Sequence, residues 1–197
     1  MRRLLLVRHA ATPATRATAF PADEALDERG LDSAALLAGA LPAAPGEVLC
    51  SPARRCHQTT EAAGLDAPTS DPALAECDFG RWAGRTLQEI HAADPEASTA
   101  WMTDADAAPH GGESLRVFAA RIAGWLDAQA ALDGRAVAVT HGGVVKAAVV
   151  HALGAPLDAF WRIDVAPLAI TELHAHDGRW TVTRVNASTA TKVASCA

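Results

Sequence analysis

The sequence predicts an α/β fold whose sheet is mostly parallel. Two short apolar runs, over residues 4–7 and 137–139, have the length and composition of buried parallel strands. Stretches with helical periodicity separate them, and strands alternating with helices are typical of a parallel sheet. Near the end of the chain, two alternating apolar and polar segments flank Asp177-Gly178, a dipeptide that favours a tight hairpin. We expect this hairpin to extend the same sheet.

The remaining elements follow in chain order from periodicity and from breaking residues. The predicted strands cover residues 3–7, 47–50, 136–140, 168–175 and 179–185. The predicted helices cover residues 31–41, 53–63, 86–93, 113–130 and 142–153. The second helix is expected to begin with Ser51 as its N-cap and Pro52 in its first turn.

Three segments lack regular periodicity. Residues 10–27 and 76–112 contain several prolines and glycines, and irregular stretches this long in a compact domain usually form lids or binding loops. We therefore expect residues 77–112, with one or two short helices, to form a small cap over the carboxyl edge of the sheet. Residues 187–197 are rich in Ala, Ser and Thr and are predicted to be a mobile tail.

Composition restricts the class of protein. A chain of 197 residues, half of them hydrophobic, is long enough to bury its own core, so residues 1–197 are predicted to form a single domain. The formal net charge is −6 and no basic run exceeds two residues, which argues against nucleic-acid and membrane partners. The usual nucleotide P-loop sequence does not occur.

Cysteine usage and the start of the chain indicate a cytoplasmic protein. The four cysteines form no C-x-x-C pair, and a chain with its own core does not need disulfides. Met1-Arg2-Arg3 is followed by only four apolar residues before Arg8, which is too few for a secretion signal.

Both internal apolar strands end in a histidine. His9 follows Arg8 directly after the first strand, and His141 precedes Gly142-Gly143 after the later one. Ligands of open α/β sheets bind just beyond the carboxyl ends of such strands. A helix opening at the two glycines would also present free amide groups to an anion. A lone histidine there is usually structural, but this combination predicts a phosphate pocket that contains a nucleophile.

A third segment adds cationic groups. Arg54 and Arg55 lie in the first turn of the predicted helix after the strand at 47–50, where positive charge opposes the helix dipole. An unfavourable placement of this kind suggests that at least one of the two arginines binds an anionic ligand.

Four segments together resemble the histidine phosphatase superfamily, which has the phosphoglycerate-mutase-like fold. That family has R-H-G at the end of a strand, S-P-x-x-R at the start of a helix, an L-x-E-x-x-x-G-x-W loop, and S/T-H-G-G after a late strand. The matching segments here are Arg8-His9, Ser51-Pro52-Ala53-Arg54-Arg55, Leu74 to Trp82, and Thr140-His141-Gly142-Gly143. The resemblance implies a three-layer α/β/α sandwich with a mostly parallel sheet and a small cap insertion.

Carried over residue by residue, the resemblance assigns the chemistry. It makes His9 the nucleophile that becomes phosphohistidine and Glu76 the proton donor to the leaving alcohol. It makes Arg8, Arg55 and His141 the phosphate ligands, with Arg55 preferred to Arg54 by its position in the motif. For this chemistry, His9 and Glu76 should be neutral when the ester binds, and a protonated His141 would add positive charge.

Other positions carry weaker expectations. Gly142 is expected to contribute to the phosphate site, and Trp82 is a candidate for the floor of the substrate pocket. Ala10 stands where many members of the superfamily have glycine, so its methyl group is expected to narrow the approach to phosphate. Thr15 stands where many have asparagine, and it could donate a hydroxyl to phosphate or only cap the loop.

Two further constellations do not support another chemistry. Cys50 has four residues before Arg55, one fewer than a cysteine phosphatase requires, so thiolate catalysis is disfavoured. His174 and His176 share a strand face but have no third ligand clustered with them in sequence, and a solvated hairpin explains them better than a metal site.

The sequence thus predicts a metal-independent, acid-type histidine phosphatase that needs no cofactor and hydrolyses a small phosphorylated metabolite. Two alternatives stay open: a phosphoglycerate-type mutase, which usually carries more chain around its site, and a catalytically silent module that binds a phosphorylated ligand. The sequence does not determine the oligomeric state, for which a homodimer is one candidate.

Overall fold

The computed structural model describes residues 1–188, which form a six-stranded mixed sheet covered by helices. The strands are β1 (Arg2–Arg8), β2 (Glu47–Cys50), β3 (Thr69–Ser70), β4 (Gly134–Thr140), β5 (Ile170–His176) and β6 (Arg179–Ala187). Their order across the sheet is β3-β2-β4-β1-β5-β6. The two-residue strand β3 has no counterpart among the predicted elements.

The four strands on one side of the sheet are parallel, as predicted. β1 and β2 both pair with β4 in parallel, and β3 pairs with β2 in parallel. β5 is antiparallel to β1, and β6 is antiparallel to β5. The predicted hairpin is confirmed, because Asp177 and Gly178 both have positive φ between the paired His176 and Arg179. Such φ values allow the two-residue turn to match the strand twist.

Within residues 1–188, seven α-helices connect the strands, and four short 3-10 segments supplement them. The helices are α1 (Pro13–Arg16), α2 (Glu28–Ala35), α3 (Arg54–Ala62), α4 (Leu87–Ala93), α5 (Pro95–Thr103), α6 (Leu115–Ala130) and α7 (Gly142–Ala152). The 3-10 segments are Leu36–Gly39, Pro72–Leu74, Gly80–Trp82 and Leu157–Arg162. The helix predicted over 31–41 begins earlier, because the Asp27 side chain caps it at the Gly30 amide, and its last turn is 3-10.

The core has two parts, one on each face of the sheet. Leu4 and Leu6 of β1 point to a cluster that includes side chains of α6 and α7. Leu5 and Val7 point to a second cluster formed largely with the helical region 34–40 and with α3. Alternate side chains of a strand face opposite sides of its sheet, so these two clusters define the three layers of the predicted α/β/α sandwich.

The last strand reaches further along the chain than the sequence predicted. β6 continues through Asn186 and Ala187, so the predicted tail begins too early at 187, because these residues still follow the β5–β6 pairing. Most of that predicted tail, residues 189–197, lies outside the described residues.

No helix in the described part of the chain is both long and apolar enough to span a bilayer.

Candidate active site

The candidate site lies where β1 and β4 end side by side. The His9 amide, one residue beyond β1, donates a 2.8 Å hydrogen bond to the carbonyl of Thr140, the last residue of β4. This bond joins the two strand ends and brings His9 and His141 together, with ring centroids 5.2 Å apart. A cavity of about 360 Å³ opens here, and Arg8, His9 and Glu76 all line it.

The His9 ring has one defined tautomer. Its Nδ1 lies 2.7 Å from the Ala10 carbonyl oxygen, which can only accept, so Nδ1 carries the proton. Nε2 is then the basic nitrogen, and it accepts a 3.2 Å hydrogen bond from Arg55 Nε. Burial, together with the Arg55 charge, lowers the pKa of His9 to about 3. The ring is therefore neutral at ordinary pH, as a nucleophile must be.

Arg55 connects both imidazoles. Besides its bond to His9, it donates from Nη2 to His141 Nδ1 at 3.1 Å and from Nη1 to the Ala22 carbonyl at 2.7 Å. Its side chain is buried near the start of α3, whereas Arg54 is exposed and only its backbone amide bonds Asp23. The structure therefore places Arg55, and not Arg54, beside the two histidines.

His141 is held in the opposite tautomer to His9. Because Nδ1 accepts from Arg55, Nε2 carries the proton and donates to Ser51 Oγ at 2.7 Å. Burial, reinforced by His9 and Arg55, keeps the pKa of His141 well below its usual value. The expectation of a protonated His141 is therefore wrong for this state of the site.

Ser51 also differs from its prediction. Ala53, and not Ser51, is the N-cap of α3, and it makes no side-chain capping bond. The Ser51 hydroxyl instead bonds the His141 ring and accepts from the Ala53 amide at 3.3 Å. The sequence did not reveal this contact with His141, because Ser51-Pro52 is also the usual pattern at the start of a helix.

Arg8 has an unused donor in the described structure. Its Nη1 donates to the Val165 carbonyl at 2.5 Å, while its Nε is buried and has no hydrogen-bond partner among residues 1–188. A Cβ on Gly142 would lie 3.3 Å from this Nε, so glycine allows Arg8 to pass close to the start of α7. A buried donor without a partner is costly, and an anion at this point would satisfy it.

Glu76 contacts the same end of α7. Its Oε2 accepts from the Gly143 amide at 3.2 Å, and its Oε1 accepts from the Cys77 amide at 3.2 Å. Burial raises the pKa of this carboxyl, although the two amides and the nearby arginines act in the opposite direction. A raised pKa is what a carboxylic acid needs in order to donate a proton near neutral pH.

Arg121 of α6 braces the loop that carries Glu76. Its guanidinium donates to the backbone carbonyls of Ala73 and Ala75 at 2.8 and 3.0 Å, and to that of Glu76 at 3.3 Å. It also forms a two-bond pair with Glu113, at 2.9 and 2.7 Å. Sequence reasoning missed Arg121 because an arginine within a helix has no local pattern that links it to a distant loop.

Thr15 and Ala10 lie near the cavity in different ways. The Thr15 side chain lines the cavity, and its hydroxyl is 3.1 Å from that of Thr12, the N-cap of α1. Thr15 therefore combines a local capping contact with access to the cavity. The Ala10 methyl group belongs to the core cluster beside α3, so the expected narrowing of the phosphate approach does not occur.

Trp82 does not line the cavity, contrary to its prediction. It is 2% exposed and packs against Phe20, Trp101 and His110 behind the cavity wall. Other residues that the sequence did not single out form that wall, among them Phe20, Phe79, Leu87, Trp101, Met102, Lys146 and Trp161.

The fold and the site define an α/β protein whose cavity is lined by a neutral buried histidine, one arginine and a carboxylic acid, with a second arginine bonded to that histidine. The sequence matches the histidine phosphatase superfamily (branch 1) over residues 4–188. The chain belongs to this superfamily, as the resemblance indicated.

Individual relatives agree with this assignment. A bifunctional protein of Mycobacterium tuberculosis is 33% identical over 196 residues, which cover 93% of this chain and 53% of that protein. The chain thus spans about half the length of this curated relative. A glucosyl-3-phosphoglycerate phosphatase of Mycolicibacterium vanbaalenii is 33% identical over 175 residues, or 80% of this chain and 77% of that protein.

A solved structure shows the same fold. The mycobacterial glucosyl-3-phosphoglycerate phosphatase in complex with VO3 superposes with a TM-score of 0.84 and is 31% identical in sequence. The match covers 95% of this chain and 100% of that chain.

Proposed function

We propose that this protein hydrolyses phosphate monoesters of small metabolites through a covalent phosphohistidine on His9. The observation that carries this proposal is the neutral His9 ring, with Nδ1–H fixed on a carbonyl and Nε2 facing Arg55. A ring held in this way can attack phosphorus, while the positions of Arg8 and Arg55 suit stabilisation of the equatorial oxygens. Membership of a phosphatase superfamily supports the same chemistry.

In the first step, His9 Nε2 forms a bond to phosphorus as the bond from phosphorus to the ester oxygen breaks. Glu76 gives its proton to that oxygen, so the alcohol leaves neutral. The hydrogen bond between Arg55 and Nε2 must pass to a phosphate oxygen before the attack, because the same lone pair is used. The unpaired Arg8 Nε is a further donor for that phosphate.

In the second step, the Glu76 carboxylate takes a proton from water, and the resulting hydroxide attacks phosphorus. The bond between phosphorus and Nε2 breaks and inorganic phosphate is released. His9 returns to the neutral tautomer, since Nδ1 keeps its proton on the Ala10 carbonyl throughout. The proposal assigns each proton transfer and each phosphate contact to side chains and backbone amides of this chain.

The remaining predicted site features belong to the same proposal. Gly142 would bring its amide to the phosphate at the start of α7, and Thr15 would contact the substrate from the opposite wall. Residues 77–112 would act as the cap, because Phe79 and Trp101 from this segment line the cavity. The protein would work in the cytoplasm, where the buried thiols of Cys50, Cys56 and Cys77 stay reduced.

The names of the relatives support a small substrate. One relative and one structural neighbour are called glucosyl-3-phosphoglycerate phosphatase. On that basis, hydrolysis of the phosphate ester is favoured over phosphoryl transfer for this chain. The experiment below distinguishes a phosphatase from a mutase and from a silent binder.

Trapping of the phosphoenzyme tests the proposal. We expect rapid quenching of the wild type to yield a phosphoprotein that is labile in acid and stable in base. The His9→Ala variant should form no such phosphoprotein and should release no phosphate. His151→Ala is the matched control, because His151 is a histidine on α7 that bonds Asp127 at the surface. Turnover by His9→Ala at the wild-type rate contradicts the proposal. Phosphoglycerate interconversion that outpaces phosphate release would identify a mutase, and binding without a phosphoenzyme would identify a silent binder.

A further inference from the structure

The cavity wall beyond His9 and Glu76 is aromatic. The Phe20 and Phe79 rings have centroids 4.7 Å apart, and Phe79 meets Trp101 edge to face at 5.9 Å. Trp101 in turn meets Trp161 at 6.1 Å. All four side chains line the cavity, so one continuous aromatic surface faces the reacting groups.

The mouth of this cavity is also apolar. Leu87, Met102 and Trp161 are 36%, 44% and 41% exposed, respectively, and all three border the same opening. Single exposed apolar side chains are normal on a protein surface, but a group around one opening is typical of a ligand site. Because this opening leads to His9 and Glu76, we expect the apolar mouth to contact the alcohol part of the phosphate ester.

Several polar groups of the wall already have partners. Thr15 is bonded to Thr12, and one oxygen of Glu24 also accepts from the Thr12 hydroxyl at 3.0 Å. The other Glu24 oxygen is buried 3.8 Å from Arg55 Nη1 and has no hydrogen-bond partner among residues 1–188. Lys146 Nζ lies 5.3 Å from the centroid of the Phe160 ring, within reach of a cation–π interaction. Beyond the reacting groups, the polar lining consists of Thr15, Thr18, Glu24 and Lys146, and the rest of the wall is apolar. A polyhydroxylated alcohol would thus exchange water for few hydrogen-bond partners on entering.

We propose that the substrate alcohol carries an apolar ring, or a flat apolar group of similar size, joined to the phosphate by a short linker. This inference rests on the proposed phosphatase function and adds the chemical class of the leaving group. With phosphate at His9 and its ester oxygen at Glu76, the ring lies against Trp101 and Trp161. Offset or edge-to-face contact with these rings then supplies binding that an alcohol without a ring does not obtain.

Three phosphate esters of primary alcohols test the proposal: 2-phenylethyl phosphate, ethyl phosphate and glucose 6-phosphate. We expect kcat/KM for the phenylethyl ester to exceed both others by about tenfold or more, since burying one ring against aromatic walls has an effect of that size. A second measurement does not depend on turnover. Calorimetry should show that 2-phenylethylphosphonate binds more tightly than ethylphosphonate.

Trp161→Ala provides the matched variant, because its side chain is 41% exposed and belongs to neither core cluster, so its loss should leave the core intact. It should lower kcat/KM for the phenylethyl ester by about tenfold while changing that for ethyl phosphate by less than about twofold. Leu153→Ala removes another exposed apolar side chain, at the C-cap of α7, and should change neither value.

The outcomes separate this inference from the function on which it rests. Hydrolysis of all three esters without preference for the ring, or with glucose 6-phosphate preferred, overturns the ring proposal and leaves the phosphatase intact. An equal loss on both alkyl esters in Trp161→Ala also overturns it. If no ester is hydrolysed but the phenylethylphosphonate binds more tightly, the proposed function fails and the ring site stands.

Discussion

A Cβ atom on Gly143 would lie 2.2 Å from Glu76 Oε1, well inside van der Waals contact. Glycine at this position therefore allows the carboxyl to rest against the first turn of α7, where it accepts from the Gly143 amide. The candidate acid is thus positioned by two elements at once, its own loop and the helix that follows His141.

Gly143→Ala should displace the Glu76 carboxyl without removing it. We expect kcat on an alkyl phosphate to fall by about 10²-fold, the size of a general-acid contribution, with little change in KM. Steady-state kinetics on ethyl phosphate would measure this. Gly124→Ala is the control, because a Cβ at that helical glycine meets nothing within 4 Å. Unchanged kcat in Gly143→Ala would show that the contact with α7 does not position the acid.

Arg121→Gln should affect catalysis through the same carboxyl, from the opposite side. Loss of the bonds to the loop carbonyls should lower kcat/KM, which reports the first step, by about 10-fold to 100-fold on an alkyl ester, while kcat/KM on p-nitrophenyl phosphate changes by less than about threefold. The difference arises because p-nitrophenolate leaves without a proton, so a misplaced acid matters less.

The control for Arg121→Gln lies on the same helix. Arg116 forms a comparable two-bond pair with Asp106, but at the surface and away from the loop of Glu76. Arg116→Gln should leave both esters unaffected. Equal losses on the two esters in Arg121→Gln would mean that Arg121 only supports folding.

The pH dependence of activity should show one basic and one acidic group. The first step needs neutral His9, whose pKa is about 3, and protonated Glu76, whose pKa burial raises above the usual 4.5. We expect kcat/KM on an alkyl ester to rise as pH increases through His9 and to fall as pH increases through Glu76. The fall should be absent from kcat/KM on p-nitrophenyl phosphate, because p-nitrophenolate leaves without a proton, and a fall that persists there would assign it to a group other than Glu76.

Sequence reasoning succeeded where periodicity or a local motif carried the signal. The strands β1, β2 and β4 are short buried apolar segments, so their ends were predictable from the sequence. The same holds for His9 and His141, which directly follow β1 and β4. Arg55 was distinguished from Arg54 by its motif position, and burial on α3 agrees with that choice.

It failed where a side chain's role depends on a distant partner. The hydroxyl of Ser51 bonds a ring 90 positions later in the chain, which no capping rule reveals. Trp82 is near Glu76 in sequence, but the 3-10 turn over Gly80–Trp82 places its ring in the core, and Trp101 lines the cavity instead. Such exchanges between residues of one type are decided by tertiary packing and not by spacing.

The neutral His9 ring should make the folded state sensitive to acid. Its pKa falls from 6.5 to about 3 on folding, so between these values the unfolded chain binds a proton that the native site does not. The stability contributed by neutral His9 is thus present above about pH 6.5 and is lost as the pH falls toward 3. At about pH 5 the expected loss is roughly 2 kcal/mol relative to about pH 7.5.

His9→Gln removes this titration while its amide oxygen can still accept from Arg55. The free energy of unfolding of the variant, measured by urea denaturation, should therefore fall by about 2 kcal/mol less than that of the wild type between the two pH values. His151→Gln, which removes a surface imidazole, should behave like the wild type. If His9→Gln loses as much stability as the wild type, His9 does not carry the acid sensitivity, and its ring is protonated in the folded protein at higher pH than its burial implies.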